Sequence, residues 1–93
     1  MTHDPESKSM KVLLLLYELG QSGIADLLHN YEKRYPNDYM HNKLMIVTLD
    51  VHNRIGRVRK KYPRRVRVFW GTHSQMYEVT PKGIKTLRDM QLI

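Results

Sequence analysis

From Met10 to Leu19 the chain is apolar on nearly every side, through the run VLLLLYEL. That pattern predicts a helix enclosed by neighbours or by a partner subunit, capped by Ser9 and stopped at Gly20. Residues 1–8 read as a flexible tail, and residues 9–93 as a single domain. A second stripe follows at helical spacing: Ile24, Leu27, Leu28, Tyr31 and Tyr35. It predicts a helix that starts after Ser22 and ends before Pro36. Leu44, Val47, Val51 and Ile55 form a third stripe, predicting a helix capped by Asn37 or Asp38 and closed at Gly56. The branched run MIVTLDV (residues 45–51) leaves a shorter helix followed by a strand as the alternative.

After Gly56 the period changes from helical to alternating. Val66, Val68 and Trp70 alternate with Arg65, Arg67 and Phe69, while Tyr77 and Val79 alternate with Met76 and Glu78. The turn-formers Gly71 to Ser74 lie between, so an antiparallel hairpin of about Arg65–Trp70 and Gln75–Thr80 is predicted. Thr80 then caps, and Pro81 opens, a last helix with Ile84, Leu87 and Met90 as its stripe. The expected order is helix, helix, helix, hairpin, helix.

Charge adds what the hydrophobic pattern does not show. Arg54, Arg57, Arg59, Lys60, Lys61, Arg64, Arg65 and Arg67 are half of the protein's 16 Lys and Arg, and no acid interrupts from Val51 to Tyr77. Residues 1–50 carry a net −2 and residues 51–93 a net +9, giving the overall +7. A scaffold half and a docking half for a polyanion are implied, with nucleic acid the leading partner.

Other compositional features mainly exclude. With no cysteine, disulfides, thiolate zinc sites and cysteine nucleophiles are out. The longest apolar run, Val12 to Tyr17, is too short for a bilayer, and the start MTHDPESKS is unlike a signal peptide. A cytoplasmic protein, on a nucleoid or in a host cell, is expected, without membrane association. Ninety-three residues make a small core, which a homodimer would enlarge.

The element order, together with YEVTPKGIKTL (residues 77–87), resembles the winged helix-turn-helix transcription regulators. Members of their PadR-, MarR- and small archaeal or viral branches close the wing with a Tyr-x-Leu-Thr-x-x-Gly-like segment, and Tyr77, Val79, Thr80 and Gly83 fill those positions. The resemblance implies an α+β fold of three helices, a β-hairpin wing and a C-terminal helix. It implies a sequence-specific regulator of double-stranded DNA, dimeric through the first and last helices. With the third helix in the major groove, Tyr39, Asn42, Lys43 and Ile46 would read bases. The wing residues Thr72, His73, Ser74 and Gln75, together with the cations from Arg54 to Arg67, would hold the backbone. The alternative partner is RNA, or DNA coated without sequence preference.

Catalysis finds little support. Among His3, His29, His41, His52 and His73 the sharpest arrangement is Asp50-x-His52-Asn53, but on a helix Asp50 and His52 point apart. There is no Gly-rich phosphate loop, and no serine is expected to have a plausible base. No enzyme, metal or cofactor is expected.

Overall fold

A computed structural model of the chain describes residues 7–61 and 75–93. The first helix, α1 (Lys8–Leu19), begins two residues earlier than expected, because Ser7 rather than Ser9 supplies the cap: its side chain accepts from the Met10 N–H at 3.2 Å. Ser7 and Lys8 therefore belong to the folded domain, not to a tail. Gly20 stops the helix at φ +81°, where a glycine avoids the left-handed penalty. Met10, Val12, Leu13, Leu15 and Leu16 are all buried. The all-round apolarity of this helix is accounted for within one chain, since α1 packs against the three other helices and the second strand.

The second helix, α2 (Ile24–Arg34), follows Gly23 and uses no side-chain cap. Ser22 is buried and exchanges two backbone hydrogen bonds with Tyr77, at 3.0 and 2.8 Å. Leu27 and Tyr31 are fully buried, and Ile24, Leu28 and Tyr35 pack against them, as the stripe predicts.

The third helix, α3 (Asn42–Arg54), starts later than expected. Asp38 is occupied elsewhere, by Lys8, Lys11 and Tyr31, so it caps nothing; His41 caps instead, Nδ1 accepting from the Leu44 N–H at 3.2 Å. The branched run 45–51 is helical, and Gly56 closes the element at φ +80°. Its buried stripe is Met45, Leu49 and His52, while Val47, Val51 and Ile55 are 49%, 46% and 38% exposed and Leu44 is half-buried. The helix is thus rotated by roughly a third of a turn from the expected orientation. The reason is His52, whose Nε2 lies 3.0 Å from both the Ser9 hydroxyl and the Ser9 carbonyl. Those partners let an imidazole enter the core.

Strand β1 (Val58–Lys61) pairs antiparallel with β2 (Met76–Val79), Val58 opposite Val79 and Lys61 opposite Met76. The expected second strand is present, and it pairs with Val58–Lys61, the earlier half of the basic block. In β1 Val58 is the buried position, and the three cations after it are exposed. Residues 62–74, including the expected strand and its turn, lie outside the described residues.

The last helix, α4 (Pro81–Asp89), has Thr80 at its cap, the hydroxyl accepting from the Gly83 N–H at 3.2 Å, and Pro81 in its first turn. Leu87 is buried, with Met90 and Leu92 packed beside the core and Ile84 half-buried. Among the described residues the result is an α+β fold of four helices and a two-stranded antiparallel hairpin. No helix among the described residues is long and apolar enough to cross a membrane.

Candidate nucleic-acid interface

With Met45, Leu49 and His52 turned inward, helical geometry puts Lys43, Val47, Asp50, Val51 and Arg54 on the opposite side of α3. Lys43, Val47, Val51 and Arg54 are exposed, and Asp50 is half-buried. Of the expected base-reading residues, Lys43 lies on this face. Asn42 is exposed on the first turn but displaced sideways, and Ile46 is half-buried on the flank. Tyr39 precedes the helix and is 77% exposed, its ring centroid 6.1 Å from that of His41. Sequence reasoning missed Val47 and Val51 because it spent them on the core. The signal that could have found them is the competing stripe Met45, Leu49, His52, which has equally good helical spacing.

The basic block leaves α3 with Arg54 in its last turn and runs directly into β1. Arg57 is half-buried at this junction, its N–H donating to the His52 carbonyl and its carbonyl accepting from the Thr80 N–H, both at 2.9 Å. Arg59 and Lys61 share one face of the strand and one carboxylate, Glu78, at 2.5 and 3.3 Å. Lys60 is on the other face and reaches back to Asp50 of α3 at 3.7 Å. Six cations, Lys43, Arg54, Arg57, Arg59, Lys60 and Lys61, are therefore set against two carboxylates in this part of the fold. The cations outnumber the carboxylates they face, so positive charge is left over to meet an anion.

Of the remaining expected backbone contacts, Gln75 is exposed just ahead of β2, its Oε1 accepting from the Tyr77 hydroxyl at 3.2 Å. Arg64, Arg65, Arg67, Thr72, His73 and Ser74 lie outside the described residues.

The approach to α3 is fixed by Asp38, in the connection between α2 and α3. Its Oδ2 accepts from Lys11 at 2.9 Å and from the Tyr31 hydroxyl at 2.7 Å, and Lys8 stands 3.3 Å from Oδ1. The hydrogen bond from Lys11, then that from Tyr31, hold its pKa down to about 2. Burial, and next the hydrogen bond to Asp38, push the Tyr31 phenol well above its usual range. Lys11 also lies over the Tyr35 ring, 5.0 Å from its centroid. The start of α1, the end of α2 and the entry to α3 are thereby tied to one carboxylate.

Comparison with protein-family models, curated proteins and solved structures gave no match to this chain. Among the described residues no three His, Asp or Glu side chains converge as metal ligands would. The arrangement offers cations and exposed apolar side chains on one helix and the strand that follows it.

Proposed function

We propose that this protein is a winged helix-turn-helix regulator that binds double-stranded DNA, with α3 in the major groove and the β1–β2 hairpin as a basic wing on the phosphates. One observation carries the reading: the cationic block begins on the exposed end of α3 and continues, with no acidic residue between, into β1. Lys60 joins the two elements through Asp50. A helix and a strand that present cations side by side match a groove and its rim. The order of elements supports the reading, as does the contact between α2 and α3. The connection of residues 35–41 is longer than the three or four residues of a tight helix-turn-helix, and the Asp38 contacts compensate by fixing it.

The same reading includes a homodimer through α1 and α4. Most of α1 is consumed in the core, which leaves Tyr17 and Leu19 at its end and Ile93 beyond α4 as exposed apolar residues for a second copy. Two copies would then sit on half-sites about one helical turn apart.

Selection from random duplexes by the purified protein at near-physiological salt tests this. Recovery of a palindromic motif is expected, with affinity falling about a thousand-fold or more between low and moderate salt if six to eight phosphates are neutralised. Motif-free binding would replace a regulator by a DNA coat, and preference for structured RNA over duplex DNA would overturn the DNA assignment.

A further inference from the structure

We infer that the outward face of α3 reads thymine through its C5-methyl groups, with Val47 and Val51 as the reading side chains. The inference rests on the DNA reading above and specifies what its recognition helix recognises.

Val47 and Val51 are one helical turn apart, opposite the buried stripe, and each leaves nearly half of its surface in water. A branched side chain on a helix is stiff about its first torsion, so little freedom is lost when it is covered. The surroundings indicate the cover. Lys43 lies one turn before Val47 and Arg54 nearly one turn after Val51, which puts a cation at each end of the apolar pair. The acid on this face, Asp50, is engaged by Lys60. The complement is a surface with an apolar floor and anionic borders. The major groove over A·T pairs has that character, with thymine methyls projecting between two lines of phosphate.

The neutral hydrogen-bonding groups of the helix are poorly placed to read bases. Asn42 is turned to the side, and the Thr48 hydroxyl donates to the Leu44 carbonyl at 2.8 Å. Discrimination at the centre of the helix therefore comes from methyl contact, while Lys43 and Arg54 hold the rims.

The test compares two duplexes of about twenty base pairs, roughly two helical turns. One alternates adenine with thymine; the other carries uracil in place of every thymine and so lacks only the methyls. Each methyl covered contributes about fourfold in affinity, so two contacts predict about a tenfold or greater preference for the thymine duplex. The double variant V47A/V51A, checked for folding by circular dichroism, should lose most of that preference while keeping its salt dependence. Both positions are exposed and alanine favours helix, so the fold is not put at risk. Equal binding of the two duplexes by the unaltered protein, or an undiminished preference in V47A/V51A, would overturn the inference and leave the DNA reading standing. Binding to neither duplex, nor to a guanine–cytosine duplex, would overturn the DNA reading and this inference with it.

Discussion

Removing the negative charge of Asp38 should destabilise the fold in a way that disappears in acid. The side chain receives Lys11 at 2.9 Å, the buried Tyr31 hydroxyl at 2.7 Å and Lys8 at 3.3 Å, and is itself only 22% exposed. Asp38→Asn keeps an oxygen for Tyr31 but cancels both ion pairs. With the pKa held at about 2 against an ordinary 3.8, the full linkage would exceed 2 kcal/mol. Lys8 is 41% exposed and screened by solvent, so about 1–2 kcal/mol is the better expectation. For a domain of this size that lowers the melting temperature by roughly 4–16 °C. Because the folded-state pKa lies below the unfolded one, the contribution is complete above the ordinary carboxylate range. It fades as pH falls from about 5 towards 2. Urea unfolding of both proteins at pH 7 and pH 3 measures it: the gap should be open at pH 7 and about halved at pH 3. A gap of the same size at both values would show that Asp38 acts through shape and not charge.

Three other perturbations probe the clamp and the charged surface. A Cβ at Gly83 would lie 2.3 Å from the Arg57 carbonyl oxygen and 2.6 Å from Val79 Cγ1, so Gly83→Ala should cost about 2 kcal/mol despite alanine's helix preference, and thermal unfolding would show any stabilisation that contradicts this. Asp50→Asn frees Lys60 and removes the acid from the outward face of α3; DNA affinity should rise, and the salt dependence should steepen by about one phosphate's worth, an unchanged slope refuting it. Changing Arg64, Arg65 and Arg67 together to alanine should weaken binding to all duplexes by a similar factor, since phosphate contacts carry no sequence information; a loss confined to one motif would reassign them to base reading.

Elements whose signals are local were legible in the sequence. Gly20, Gly56 and Thr80-Pro81 set helix ends where the chain itself requires them, and the α2 stripe packs as its spacing implies. What was not legible depends on distant partners. Asp38 looked like a cap until Lys8, Lys11 and Tyr31 claimed it. His52 stood outside the Leu44, Val47, Val51 stripe; Ser9, at the start of α1, gives its ring two oxygens, and with it the facing of α3 changes. For the candidate site the cations themselves were legible as a block. That Lys60 would reach back to α3, and that Arg59 and Lys61 would share Glu78, follows only from the strand register.

The residues that carry the resemblance have structural work that bears on recognition only indirectly. The Tyr77 backbone bridges to Ser22, and Val79 stands opposite Val58 in the sheet. Thr80 caps α4 while its N–H donates to the Arg57 carbonyl, and Gly83 leaves the space which that carbonyl fills. Val79, Thr80 and Gly83 meet around the point where the basic block enters the sheet. Arg57 is held from the other side by its own N–H on the His52 carbonyl of α3. The strand is thereby fixed to the end of α3 and to the start of α4 at once. A helix in a groove and a strand on the adjacent backbone must keep a constant separation, since the groove does. A junction too tight for one added methyl is a means of keeping it. In a folded Gly83→Ala protein the expected defect is therefore a joint one, thymine preference and salt dependence falling together, because α3 and β1 would no longer reach the duplex at the same time.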